Sequence, residues 1–335
     1  MNAPFNPLVR IGFGRWNISG LDTQFRDGSF EVKRAVIDKL FELFTKKDCV
    51  AEAVVCGCIR NLCLFVSSQG TTADECLLES TLRVLQLSLK LKQSQDVILS
   101  SGMLTTLREC LHKSCVRELR KRSQSLTLVL LSDRRVLIEA LHVGYLDHYW
   151  DLVTWEKDID CLSICMQVAA LLVRESGTSI IPLSSNMISS LIDPVEFEPT
   201  PSFLTAALEL LAAVGTADDN GKLQVIPAMI PSLTLLDLSR PNHLRTATWK
   251  FLSVVTILKQ ARISFVQNGG LQLLHNLFNE PNITPEERRF ALLVLAAVCE
   301  WPHARSQLQA IASYLNGHAT DKFERKALEK LLWNP

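Results

Sequence analysis

The sequence predicts an all-α chain wound into a right-handed α-solenoid of about six repeats, and three observations carry that reading. Strand signals are nearly absent, while apolar residues recur at spacings of three and four along most of the chain. A short anchor motif returns every 41 to 42 residues. The long helix after each anchor carries a polar stripe that keeps its phase from one repeat to the next.

Composition sets the frame for these elements. With 335 residues, 47% of them hydrophobic, the chain can bury one or two sizeable cores. Its 35 Lys and Arg balance 35 Asp and Glu, which argues against a general polyanion binder, because counterion release from a phosphate backbone needs a basic excess. No apolar run approaches the roughly 18 residues of a membrane span, and Met1–Phe13 lacks the features of a signal peptide. The expected setting is soluble, cytoplasmic or nuclear, with no membrane partner. Residues 1–29 read as an N-terminal leader, extended or capping, in which Asn6–Trp16 mixes aromatics with arginines and glycines. Residues 30–335 read as one repeat domain.

Taken in order, Gly, Pro and polar breakers cut the chain into longer helices near Phe30–Lys46, Cys49–Ser67, Thr72–Leu91, Ser114–Leu131, Asp158–Glu175, Pro201–Gly215, Asn242–Leu258, Pro285–Glu300 and Asp321–Trp333. Short helices fill the gaps. Ser101-Gly102-Met103-Leu104 resembles Val143-Gly144-Tyr145-Leu146 and Asn268-Gly269-Gly270-Leu271, and Gly102 to Gly144 is 42 residues. Two further steps of 42 land on Asn186 and Ala228, and one of 41 reaches Gly269. The stripes step with the anchors. Arg117, Arg120, Gln124 and Thr127 become Asp160, Ser163, Gln167 and Ala170, then Ser202, Thr205, Glu209 and Ala212, then His243, Thr246, Lys250 and Ser253, then Glu286, Arg289, Leu293 and Ala296. A two- or three-helix unit cannot bury its apolar face alone, so neighbours stack and their wet faces align as an inner groove.

Val266–Phe278 resembles the second helix of an armadillo repeat, and Phe290–Val298 resembles its third; the resemblance covers roughly residues 72 to 335. It implies a non-catalytic scaffold or adaptor that holds a partner chain in the concave groove or at the end of the solenoid. In the importin alpha branch of that family the third helix binds extended basic peptides through a Trp and an Asn four residues on. Trp249 matches the Trp here, Ser253 stands where the Asn would be, and the other units carry Ser123, Met166, Leu208 and Leu292 in the Trp column, so the ladder is absent. Small armadillo proteins that promote nucleotide exchange on heat-shock chaperones share this size, which keeps a chaperone cofactor as an alternative.

Catalysis finds no support in the sequence. The seven His are scattered, and no nucleophile elbow, zincin helix or P-loop occurs. Gly12-Phe13-Gly14 is a lone GxG with no strand before it. Cys49, Cys56 and Cys63, spaced by seven, are expected on one apolar helix face, and Cys161 with Cys165, and Cys110 and Cys115 with His112, read as core in the same way. No enzyme, cofactor, metal or small-molecule substrate is therefore expected.

Net zero charge conceals segregation. Arg108 to Arg135 holds eight basic residues against three acids, Asp147 to Asp219 holds twelve acids against two bases, and Leu238 to Asn279 holds five bases and no acid. On a solenoid such blocks become basic, acidic and basic zones, able to steer a partner of complementary pattern. The partner-binding candidates on the stripes are Arg117, Arg120, Lys121, Gln124, Gln167, Glu209, Arg245, Thr246, Trp249 and Lys250. The expected partner is a peptide or helix in the groove; a nucleic-acid-associated scaffold using the basic zones is the less favoured alternative. Oligomeric state is not encoded in any motif.

Overall fold

The computed structural model describes residues 18–69, 74–112, 114, 116–177, 185–192, 198–280, 282–301 and 303–304. The expected helix Asp321–Trp333 and the leader before Ile18 lie outside them. The chain divides into two compact units, residues 1–168 and 169–335.

In the N-terminal unit, α1 (Ile18–Asp27) packs on α2 (Phe30–Leu43) and on α4 (Cys58–Gln69), burying Ile18, Leu21 and Phe25. Three-helix repeats follow. The first is α3 (Lys47–Val55), α4 and α5 (Glu75–Ser88). The second is α6 (Lys92–Ser100), α7 (Met103–Thr106), which runs into a π turn over Leu107–Leu111, and α8 (Arg117–Leu130). The third is α9 (Arg134–His142), α10 (Tyr145–Trp155) and α11 (Ile159–Ser176), whose last turns belong to the C-terminal unit. The long helices α2, α5 and α8 stack in chain order. Their seam is built from leucines at helical spacing, among them Leu78, Leu82 and Leu85 on α5 and Leu119, Leu126 and Leu130 on α8, all buried. Each contributes about 1.5–3 kcal/mol by leaving water.

The C-terminal unit repeats the arrangement. It contains α12 (Ser185–Ile192), α13 (Pro201–Ala217), α14 (Asp219–Val225), α15 (Met229–Leu233), α16 (Asn242–Val255), α17 (Lys259–Gln267), α18 (Gly270–Phe278) and α19 (Pro285–Cys299), and again the long helices α13, α16 and α19 pack in succession. Helix α13 is buried along most of its circumference, and its Ala206, Ala207, Ala212 and Ala213 allow close approach. At Gly215 a Cβ would stand 2.9 Å from Val254 Cγ1, so a larger residue would push α16 away. Two starts are written in the same chemistry 84 residues apart: Thr200 caps α13 by accepting from the Phe203 N–H at 3.2 Å, and Thr284 caps α19 by accepting from the Glu287 N–H at 3.2 Å, each followed by a Pro in the first turn. This spacing is twice the anchor step of 42.

One turn recurs at the anchors. Gly57, Gly102, Gly144 and Gly269 all take left-handed φ, between 72° and 82°, and each N–H donates to the carbonyl three residues back, on Val54, Leu99, Leu141 and Val266, at 3.0–3.2 Å. That closes the first helix of a repeat and starts the second within one residue, a conformation in which a Cβ is strained. Gly57 corrects the expected single helix Cys49–Ser67, which is broken into α3 and α4. It also corrects the cysteine face: Cys49 sits on α3, Cys56 in the turn and Cys63 on α4. The stripe of α8 is corrected too. Arg117 is exposed as expected, but Gln124 and Thr127 are wholly buried, and beyond the first turn the side chains that reach solvent include Lys121, Ser125 and Val129, so the wet face drifts out of the expected phase.

Candidate protein-interaction faces

The basic start of α8 meets the acids at the start of α11, the last helix of the next repeat. Arg117 Nε donates to Asp158 and its Nη2 to Asp160 at 3.1 Å. Arg120 forms a fork on Glu156, Nε to Oε2 at 2.9 Å and Nη2 to Oε1 at 3.1 Å, and its Nη1 donates to the Ser114 carbonyl at 2.9 Å. Lys121 Nζ reaches Asp160 Oδ2 at 2.7 Å, and Arg122 Nε turns back to Glu79 on α5 at 2.8 Å. Glu156 is buried, with a side-chain exposure of 2%. Burial of Arg120 works against its charge, but the bond and charge of Glu156 outweigh it and hold the guanidinium pKa above its ordinary value. Burial also acts against the Asp158 carboxylate, yet the Cys161 N–H and Arg117 hold its pKa below the usual range.

The C-terminal unit has a counterpart. Arg245 Nε donates to Glu287 Oε1 at 2.8 Å and Nη2 to Oε2 at 3.2 Å, while Nη1 donates to the Leu238 carbonyl at 2.9 Å. The pair is sealed, with side-chain exposures of 5% and 0%. The basic block after Leu238 is therefore drawn partly inward. Arg262 likewise bonds Glu300 at 2.6 Å.

These contacts place the ten candidates. Arg120, Arg245, Gln124 and Trp249 face the interior or are clamped by carboxylates; Trp249 is 1% exposed, and neither side-chain polar atom of Gln124 has a partner among the described residues. Trp249 and Gln124 are thus wedges between helices, a correction to their expected place on the wet stripe. The physical reason is that a large or long side chain at the edge of a stripe covers more apolar area by turning toward the neighbouring helix. Arg117 and Lys121 remain at the surface but ion-paired. Gln167 in the N-terminal unit, and Glu209, Thr246 and Lys250 in the C-terminal unit, are partly exposed. In the C-terminal unit the exposed positions of the stacked long helices form rows: Ser202, Thr205 and Glu209 on α13; His243, Thr246, Lys250 and Ser253 on α16; Glu286, Arg289 and Leu293 on α19. The face mixes hydroxyls with charges of both signs, Glu209 and Glu286 against Lys250 and Arg289, groups able to hydrogen-bond an extended chain.

Sequence reasoning missed Glu156, Glu287 and Glu79, and a signal for two of them existed. Arg245 and Glu287 are 42 residues apart and Arg122 and Glu79 are 43 apart, one repeat in each case. Opposite charges separated by one period are the signature of a clamp between adjacent repeats.

An engineered protein solved by a structural genomics consortium superposes with a TM-score of 0.73 at 14% identity, over 94% of this chain and 77% of that one. A chain from work on a phosphorylation switch controlling the interaction between cadherin and beta-catenin superposes with a TM-score of 0.70 at 14% identity, over 88% of this chain and 55% of that one. The chain has an armadillo-like helical-repeat fold. A designed armadillo repeat protein, 12% identical, is matched over 84% of this chain and 99% of its own with a TM-score of 0.44. No family model and no curated protein matches the armadillo-like chain in sequence. No single helix among the described residues is long and apolar enough to cross a membrane.

Proposed function

We propose that this chain is a non-catalytic protein-binding scaffold that holds an extended segment of a partner against the exposed rows of its long helices. The observation that carries the reading is the row on α13, α16 and α19, where Glu209, Thr246, Lys250 and Ser253 stay at the surface while the apolar faces and the Arg245–Glu287 ion pair of the same helices are buried. Solvated hydroxyls and charges of both signs at regular helical spacing offer a partner's backbone and side chains bonds without unpacking the core. The structural relative from the cadherin and beta-catenin work supports a protein partner. The same clamps weigh against the nucleic-acid alternative, because Arg117, Arg120, Lys121 and Arg245 are engaged with carboxylates and would have to give them up to phosphate. The burial of Cys49, Cys58, Cys63, Cys161 and Cys165 in the apolar core supports a reducing setting, cytoplasmic or nuclear.

The test is affinity capture from native extract at two salt concentrations with the wild type, a Glu209→Lys/Lys250→Glu double variant, and a Lys259→Glu control on α17. A protein partner retained by wild type and control but lost by the double variant supports the assignment. Equal capture by all three proteins, or capture of nucleic acid with a steep salt dependence, refutes it.

A further inference from the structure

His112 follows the π turn and is wholly buried. Its Nδ1 lies 3.0 Å from His148 Nε2 on α10, and its Nε2 lies 2.9 Å from Thr127 Oγ1 and 3.3 Å from the Tyr149 hydroxyl. Thr127 Oγ1 donates to the Ser123 carbonyl at 3.0 Å, so toward His112 it accepts. The hydrogen of His112 is then on Nε2, its Nδ1 is the lone-pair nitrogen, and His148 Nε2–H donates to it. Both nitrogens of the neutral ring are thereby used. A second proton on His112 would sit on Nδ1 and point at the N–H of His148.

Among the described residues, no carboxylate is bonded to the ring to balance such a proton. Around the ring stand Tyr145, His148 and Tyr149 from α10, Ser123 and Thr127 from α8, and Cys165 from α11 beside Tyr149. Tyr145 donates to the Leu104 carbonyl at 2.5 Å, and burial pushes the phenols of Tyr145 and Tyr149 up, so both stay neutral. The charge that acts on Tyr145 is the Arg108 guanidinium, a cation that donates to the Val143 carbonyl and pairs with Glu109. Among the described residues no carboxylate bonds to His112. Burial first, and His148 second, hold its imidazole well below the ordinary value of 6.5.

We propose that the joint between α8 and α10 is a proton-operated latch, which stays closed around neutral His112 and opens when protons compete for that ring. The latch is independent of the partner-binding reading. Its sign follows from linkage. The closed joint excludes the proton and the open joint admits it with an ordinary affinity, so closure is favoured above about pH 6.5 and is lost as pH falls below it. At pH 5.5 the open population should rise about tenfold over that at pH 7.5, because an ordinary imidazole is then about ten parts protonated to one part neutral. The clamp of Arg117, Arg120 and Lys121 on Glu156, Asp158 and Asp160 spans the same two repeats. Opening would therefore disturb the surface that carries Lys121 as well as the buried ring.

Hydrogen exchange at pH 7.5 and 5.5, corrected for the intrinsic pH dependence of exchange, reads the latch. Amides of α8 and α10 in the wild type should lose about tenfold protection relative to those of α2 and α5. His148→Gln, which keeps a donor toward His112 but cannot titrate, should retain that loss, and His112→Leu should abolish it. A wild-type change below about twofold, a flat His148→Gln, or a folded His112→Leu with the full loss overturns the proposal. Should His112→Leu not fold, the wild-type His112 ring resonances decide: no titration between pH 7.5 and 5.5 upholds the latch, and an ordinary midpoint near 6.5 overturns it.

Discussion

Removing the carboxylate of Glu287 is the sharpest perturbation of this fold. The Arg245 side chain is 5% exposed and Glu287 is at 0%, so Glu287→Ala leaves a guanidinium sealed in the core with only the Leu238 and Arg240 carbonyls as acceptors. Losing one partner of a buried ion pair costs about 3–5 kcal/mol, because the remaining charge stays desolvated without its counter-charge. For a unit of this size that corresponds to a fall of about 6–20 °C in Tm. The loss falls in the first turn of α19, where Glu287 is the third residue after the Thr284 cap. Two comparisons isolate the electrostatic origin. Lys121→Ala removes a pair whose side chains are 39% and 46% exposed and should cost less than about 1 kcal/mol. The double variant Arg245→Met/Glu287→Leu removes both charges and should recover most of the loss. The assay is urea and thermal unfolding followed by circular dichroism, with the double-mutant cycle closed by Arg245→Met. A Glu287→Ala loss no larger than that of Lys121→Ala, or a double variant as unstable as the single one, refutes the reasoning.

Two further outcomes follow from burial and backbone. Trp249→Ala should destabilise the C-terminal unit by about 3–5 kcal/mol in urea melts, whereas Trp249→Phe should lose much less, because it keeps most of the apolar area and discards an indole N–H that lacks a partner among the described residues. Equal losses for the two would show that the packing of the ring does not decide stability. Gly102→Ala should cost about 1–2 kcal/mol, although its Cβ would meet nothing within 4 Å, since the penalty lies in the left-handed φ of 72°; a neutral result in the same melts would contradict that origin.

The fold was legible because repetition leaves its mark on spacing. The anchors at Gly102, Gly144 and Gly269 are the same turn in the structure, and the stripes of α16 and α19 are exposed at His243, Thr246, Lys250, Ser253, Glu286, Arg289 and Leu293 as their phase implied. Gly57 escaped notice because it lies 45 residues before Gly102, outside the step that links the others, and because apolar residues continue on both sides of it. The faces were less legible than the fold. Helical periodicity identifies which positions share a side, but it does not determine which side chain at the margin turns inward, and Gln124 and Trp249 are both marginal. The charge blocks misled for a related reason. Arg117, Arg120 and Lys121 look like a basic zone along the chain, yet folding places them against Glu156, Asp158 and Asp160, and opposite blocks in sequence become neutral seams in space.

The cross-repeat clamps span 36 to 43 residues, from Arg120–Glu156 to Arg117–Asp160 and Arg122–Glu79. Loop-closure entropy grows only with the logarithm of the enclosed length, so each clamp meets nearly the same closure cost wherever it lies. Within each unit the chain then behaves as a one-dimensional lattice with coupling between nearest neighbours, and contact order stays low. Folding can start at any pair of adjacent repeats and spread, and an insertion that lengthens the chain by a whole period between two clamps adds a site to the lattice without breaking a bond elsewhere in it.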